Sequence, residues 1–338
     1  MRIAFLPDGR TANAAYRSMA PMLALAERGH EICELRLDKR DEWHAVLQWC
    51  ELLHIHRVCD GGAVELARAA KAVGATVVWD DDDDVTSAPP GTLAHSHVGG
   101  LRGASRLAAR RRLFQSVDLV TTPSPALADV FRKGGAPDVL VIENYVVEAF
   151  LPARARRADV TVGWVAAAEH RLDVDRIPIA GALARLLDGH PHVNVAAIGI
   201  GLGLQGDRYV HEPWVPLAQL LQRVTSFDIG IAPLSPEIAI NHSRSNIKLK
   251  EYAAAGVPWL ASPIGPYAGL GEREGGRLVP DDGWFGALDA LVRSDRVRRK
   301  LAKRAARWGS RQTLRRNVGC WERAFEHAVA VRRACVAA

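Results

Sequence analysis

The chain has 338 residues, of which 48% are hydrophobic and 24% charged, and it carries a net charge of +6. That length suits two domains with separate cores, and no apolar run approaches the roughly 20 residues of a membrane span. The opening MRIAFLPDGR is too short an apolar run for a signal peptide, and the five cysteines form no CxxC pair, so a disulfide framework and a zinc site are set aside and a cytoplasmic protein is expected.

Short runs rich in Val and Ile alternate with stretches of helical period. Residues 2–6 read as a strand. Residues 13–28 put Tyr16, Met19, Leu23 and Ala26 on one helix side, with Gly29 as the stop. Further strands are expected at 31–37, 52–58, 75–79, 118–121 and 139–142, with a helix at 63–73. The pattern then begins again. Strands at 159–165, 193–198, 227–232 and 257–261 enclose helices at 177–187, 217–224 and 246–255, and the end from about 284 is helical and basic. Strands separated by helices imply crossovers and parallel sheets covered on both faces. The expected fold class is therefore α/β, with two Rossmann-like doubly wound domains facing a cleft. An N-terminal domain spans 1–155 and a second domain 156–312, joined near 151–158. A last helix at 313–338 packs back on the first domain. Ligands in such sheets sit at the carboxyl ends of the strands.

The basic excess lies in two runs, 102–112 and 293–316. It reads either as solvated helix faces or as an electropositive edge open to peripheral contact with the inner membrane face or a phosphorylated substrate. Nucleic acid is not expected as a partner, because no aromatic residues are interleaved for stacking.

One stretch carries most of the chemistry: NHSRSNIKLKEYAAAGVPWLAS, residues 241–262. A polar loop enters a helix, with Ser243 or Ser245 as the expected N-cap. Free N–H groups and the helix dipole make that first turn an anion site. Lys248 lies in it, and Glu251 follows one turn later on the same face. A diphosphate at the helix start would meet Lys248, and the attached ribose would reach Glu251, so the spacing suits a nucleoside diphosphate. Lys250 points to another face and is expected to be exposed.

EYAAAGVPWLAS resembles the nucleotide-binding helix and following strand of glycosyltransferase family 4, the retaining enzymes of the GT-B fold. In that family a Glu opens the turn before the helix and a second follows eight positions later. Glu251 matches the second, the ribose ligand, whereas the first position falls on Ser243. The form with Ser245, Asn246 and Lys248 before EYAAAG resembles a variant branch in which Lys248 takes over part of the diphosphate binding. VTVGWVAAAEHRLDV resembles the opening strand of the family's second domain, whose phosphate ligands fall here on His170 and Arg171. HPHVNVAAIGIG resembles the next strand, ending at Gly199 and Gly201, and YVHEPWVPLAQLL the segment that reads the base, around Pro213 and Trp214. The resemblance is close over 117–292 and looser over 1–85. It implies a hexosyltransferase that takes a sugar from a nucleotide-diphosphate donor, a UDP- or GDP-sugar favoured, with no cofactor. The acceptor is open among a glycan, a lipid-linked sugar and a secondary metabolite. The alternatives are a GT-B nucleotide-sugar epimerase and, given Ser243, a non-catalytic nucleotide-sugar-binding protein.

Five aspartates follow Trp79. Asp80 to Asp82 read as contacts to a sugar or an acceptor hydroxyl, with Asp81 and Asp82 as catalytic candidates. A solvated acidic loop and a Mg²⁺ site are the other readings, although the GT-B resemblance implies no metal. His54 and His56 share one strand face and are expected as strand-end polar residues. The loop 8–13 should border the cleft, with Arg17 reaching donor or acceptor from the helix behind it.

Overall fold

The computed structural model describes residues 1–90, 95, 100–147 and 159–337. The expected linker at 151–158, and with it the domain boundary at 155, lies outside the described residues. The chain divides into two compact units. The first comprises Met1–Asn144, Ser243–Ser245 and Leu314–Ala338, and the second Tyr145–His242 and Asn246–Thr313.

The first unit holds a six-stranded sheet in the order β2-β1-β3-β4-β5-β6. Its strands are Arg2–Leu6 (β1), Glu31–Glu34 (β2), Leu52–His56 (β3), Thr76–Asp80 (β4), Leu119–Thr122 (β5) and Val139–Val141 (β6), and every pairing is parallel. β3 and β4 are buried along their whole length, as strands covered on both faces must be. One face packs Trp79, Phe114 and Phe131 together. The C-terminal helix, Gly319–Ala337, lays Trp321 and Phe325 against His54 of β3 at ring separations of 5.6 and 5.7 Å.

The second unit holds Val160–Ala166 (β7), Val193–Gly199 (β8), Tyr209–Glu212 (β9), Ile229–Ala232 (β10), Trp259–Ala261 (β11) and Gly276–Leu278 (β12). Their order is β12-β11-β10-β7-β8-β9, again all parallel. The chain runs outward from β7 through β8 to β9, then restarts at β10 on the other side of β7. That reversal between β7 and β10 is the topological switch point, where crossovers diverge and leave a crevice at the strand ends.

The strands read from the sequence are present, and the structure adds β9, β12 and helices at Arg40–Trp49, Pro125–Lys133 and Arg171–Arg176. β9 is a half-exposed edge strand and β12 has three residues opened by a glycine, so neither makes a long apolar run. Aromatic rings lie flat on strand glycines in the second unit. A Cβ at Gly230 would stand 2.7 Å from the ring of Tyr252, and one at Gly163 would stand 2.1 Å from Phe227.

The helix expected at 13–28 is broken into an α turn (Ala12–Ala14), a π turn (Ala15–Met19) and an α segment (Ala20–Ala26). Pro21 explains the wide turn. It has no N–H for the carbonyl of Arg17 four residues back, and its ring crowds that carbonyl. Arg17 lies within this π turn, fully buried.

Candidate functional site

In the second unit the helix Ile247–Ala254 follows the loop after β10. Three contacts fix it. The Tyr252 hydroxyl donates to the carbonyl of Ile231 in β10 at 2.9 Å. The small residues pack without clearance on the helix Asp295–Gly309, for a Cβ on Gly309 would come within 2.3 Å of the backbone nitrogen of Ala254. Lys250 places its Nζ 4.6 Å from the centre of the Tyr145 ring. Lys250 is thus fully buried rather than exposed. Helical spacing places it off the Lys248 face, but that second face is covered too, and a cation removed from water gains from the negative face of an aromatic ring.

Lys248 is half-buried in the first turn, and Glu251 is 5% exposed one turn on. The N-cap is Asn246 rather than Ser243 or Ser245, and its side chain makes no capping hydrogen bond. Both serines belong to the first unit. There the Ser124 hydroxyl donates to the carbonyl of Ser243 at 2.6 Å, and the Asn144 amide donates to Ser245 Oγ at 3.1 Å.

His170 ends the 3₁₀ turn after β7, and its Nε2 lies 3.3 Å from Lys248 Nζ. On its other side Nδ1 donates to Asp173 Oδ2 at 2.8 Å. Asp173 Oδ1 accepts the backbone N–H of Ser235 and the amide of Asn241, each at 2.7 Å. Burial alone would raise the Asp173 carboxyl, but the hydrogen bond and electrostatic attraction of His170, with the hydrogen bonds from Ser235 and Asn241, outweigh it and hold the pKa below its ordinary value. The loops after β7 and β10 thereby meet Lys248 at the switch point. Arg171, next in sequence, is exposed and reaches the carbonyl of Gly201 at 3.4 Å. Gly199 closes β8 with φ 96°, and a Cβ there would stand 2.0 Å from the carbonyl oxygen of Ala166. Trp214 lies against this glycine and remains 46% exposed. Sequence reasoning missed Asp173, Ser235 and Asn241. The available signal was the three-residue spacing from His170 to Asp173.

The first unit carries a second polar cluster, at the ends of β3 and β4. Arg17 grips Asp80 through two bonds, Nε to Oδ1 at 3.0 Å and the terminal nitrogen to Oδ2 at 2.5 Å, and Thr121 donates to the same carboxylate at 2.6 Å. Arg17 also donates to Asn144 Oδ1 at 3.1 Å and to the carbonyl of Ile142, and its guanidinium stacks 4.8 Å from the Trp321 ring. Arg17 is therefore a fully buried partner of Asp80, which corrects the expected reach toward a ligand.

The acidic run is not a solvated loop. Asp80, Asp81, Asp82 and Asp84 are all buried. Compensation comes from Arg57, which adopts a left-handed φ of 57° in the turn after β3 and stands 3.2 to 3.8 Å from carboxylate oxygens of Asp8, Asp81, Asp82 and Asp83. Burial raises the Asp81 pKa to about 7, with Asp82 and Asp83 adding to the rise and Arg57 opposing it. Asp82 is shifted down, because Arg57 and His56 outweigh its burial. His54 and His56 lie in β3, with His56 its last residue, and both are fully buried. His56 Nε2 stands 3.8 Å from Asp82 and 4.0 Å from Asp80, too far for a hydrogen bond. Among the described residues no group of three or more His, Cys, Asp or Glu side chains is arranged to hold a metal ion, and no helix is long and apolar enough to cross a membrane.

No protein-family model matches the chain, and no curated protein matches it either. Solved structures do. An alpha-glucosyltransferase in complex with UDP-glucose and DNA containing an abasic site aligns over 97% of this chain and 99% of its own, at 12% identity and a TM-score of 0.70. A sucrose-phosphate synthase from Thermosynechococcus elongatus aligns over 98% and 99%, at 13% identity and a TM-score of 0.69. A putative UDP-N-acetylglucosamine 2-epimerase from Listeria monocytogenes aligns over 92% and 94%, at 10% identity and a TM-score of 0.55. With its two parallel six-stranded sheets, this chain has the fold of the GT-B glycosyltransferases.

Proposed function

We propose that this chain transfers a glycosyl group from a nucleotide-diphosphate sugar to an acceptor hydroxyl, with retention of anomeric configuration as in glycosyltransferase family 4. The observation that carries the reading is the pairing of Lys248 and Glu251 on one face of the helix Ile247–Ala254, beside the β7/β10 switch point. In this reading Lys248 and the first-turn N–H groups take the diphosphate, and Glu251 accepts hydrogen bonds from the ribose hydroxyls. Arg171 adds charge from the loop after β7, and Trp214 and Gly199 border the base. As the sugar–phosphate bond breaks, negative charge grows on the leaving diphosphate. A cation already in place stabilises that charge with no reorganisation. Asp81 and Asp82 are the residues of the first unit assigned to the acceptor hydroxyl.

A thermal-shift series with UDP, GDP, ADP, TDP and CDP tests the donor site. A nucleotide at about a hundred times its dissociation constant stabilises the fold by about 2.7 kcal/mol. One nucleotide should raise the melting temperature of the wild type and leave Glu251→Ala unmoved. No shift with any of the five would remove the reading. The likeness to an epimerase favours one second reading, hydrolysis at the anomeric carbon without an acceptor. Proton NMR of the sugar released from the identified donor separates the two, since an epimerase releases a sugar inverted at a ring carbon relative to the donor and a transferase does not.

A further inference from the structure

We propose that Asp173 is the positioning residue of this donor site. By fixing the hydrogen of His170 on Nδ1, it makes Nε2 an acceptor that holds the Lys248 ammonium where the phosphates of a nucleoside diphosphate would bind. The inference rests on the donor-site reading above and deepens it.

Asp173 is fully buried, and both of its oxygens are used. Ser235 N–H and the Asn241 amide occupy Oδ1 at 2.7 Å each. Asn241 also donates to the carbonyl of Ser235 at 3.1 Å, so both hydrogens of its amide are committed and its orientation is set. Oδ2 is left to His170 Nδ1 at 2.8 Å. An ionised carboxylate only accepts, so Nδ1 must carry the hydrogen, and the ammonium that faces Nε2 requires a lone pair there. An ammonium only donates, so the 3.3 Å contact between Nε2 and Lys248 Nζ runs from lysine to histidine. The opposite tautomer would set two donors against each other there. One carboxylate thus ties the loop after β7, the loop after β10 and the helix carrying Lys248 and Glu251. A flexible four-carbon stem leaves a lysine many positions, and ordering it before the ligand arrives removes an entropic cost from binding.

Asp173→Asn tests the idea at nearly constant volume. Its carbonyl must stay toward Ser235 N–H and the Asn241 amide, which turns its NH₂ group toward His170 Nδ1. Nδ1 must then accept, and the hydrogen moves to Nε2, facing Lys248. Nitrogen-15 NMR of labelled histidine reads the tautomer, and calorimetry reads affinity for UDP, GDP, ADP, TDP and CDP against their matching nucleosides. The wild type should show Nδ1–H and the variant Nε2–H. The nucleoside diphosphate that the wild type binds should weaken about tenfold in the variant, the loss of one charge-assisted hydrogen bond at about 1.4 kcal/mol per factor of ten. The matching nucleoside should be unchanged. Lys248→Met should give the same phosphate-specific loss, and adding Asp173→Asn to it should cost nothing more. If Asp173→Asn fails to fold, His170→Gln, which leaves Asp173 its Ser235 and Asn241 partners, replaces it in the affinity arm. An unchanged tautomer, an unchanged diphosphate affinity, or equal weakening of nucleotide and nucleoside would overturn the positioning role while leaving the donor site standing. A wild type that binds none of UDP, GDP, ADP, TDP and CDP would overturn both.

Discussion

The two units place carboxylates at the ends of parallel strands in opposite ways. In the second unit Asp173 meets three donors at 2.7 to 2.8 Å, from His170, Ser235 and Asn241, none of them a guanidinium or an ammonium. In the first unit Asp80 is held as tightly, but by a buried guanidinium, while Asp82 keeps an oxygen without a hydrogen-bond partner and shares Arg57 with three other carboxylates. A completed network fixes side chains in one geometry, whereas a shared cation leaves several arrangements close in energy. The comparison separates a positioned site from a charged one, and each of the following experiments strains it at a different point.

The largest effect should come from Asp80→Ala. It leaves the fully buried Arg17 without its counter-ion, and removing one partner of a buried pair costs about 3–5 kcal/mol. Urea denaturation should show that loss. A change below about 1 kcal/mol would mean that the Trp321 stack and the Ile142 and Asn144 oxygens suffice for the guanidinium. Asp173→Ala should cost less, about 2–3 kcal/mol, because it removes hydrogen bonds from His170, Ser235 and Asn241 but leaves no buried guanidinium without its counter-ion. If it proves the more costly of the two, the contrast between the two kinds of partner fails.

The pH dependence of stability sharpens the view of the first unit. Burial holds His54 neutral, with its pKa pushed down to about 3 from 6.5. Between those values the unfolded chain binds the extra proton, so stability from His54 is complete above pH 6.5 and is lost as pH falls toward 3. Asp81, pushed up to about 7 from 3.8, works in the other direction. There the folded chain binds the extra proton, and its contribution falls as pH rises through that window. Each slope is about 1.4 kcal/mol per pH unit, so from about pH 4 to 6.5 they oppose. Asp81→Asn should leave stability rising with pH over that range, and His54→Leu should leave it falling. Denaturation midpoints at three pH values check both, and parallel profiles for the two variants would contradict the assignment. Asp82→Asn should also lower stability in urea denaturation, because Arg57 and His56 favour the ionised carboxylate, but by less than Asp80→Ala, because relief of like-charge crowding with Asp81 and Asp83 offsets part of the loss.

Much of this architecture could be read from the order of apolar runs, because strands covered on both faces carry their burial in their own composition. β3, β4, β7 and β10 were plain for that reason, and β9 and β12 were not. The helix with Lys248 and Glu251 was visible because both residues lie within four positions of each other. Long-range partners left no such mark. Arg17 and Asp80 are 63 residues apart, and periodicity gave Arg17 no reason to turn inward until Pro21 is seen to widen the turn. Lys250 was misjudged because a helix wheel shows faces without showing what covers them. Asp173 stood in plain view three residues after His170, but its role depends on Ser235 and Asn241, which only the crossing at the switch point brings near.

A crystal structure of the protein grown with UDP-glucose or GDP-glucose tests the central claim most directly. The account predicts a diphosphate at the first turn of Ile247–Ala254, within hydrogen-bond reach of Lys248, with the ribose hydroxyls on Glu251. A nucleotide bound elsewhere, or one whose ribose stands away from Glu251, would contradict it.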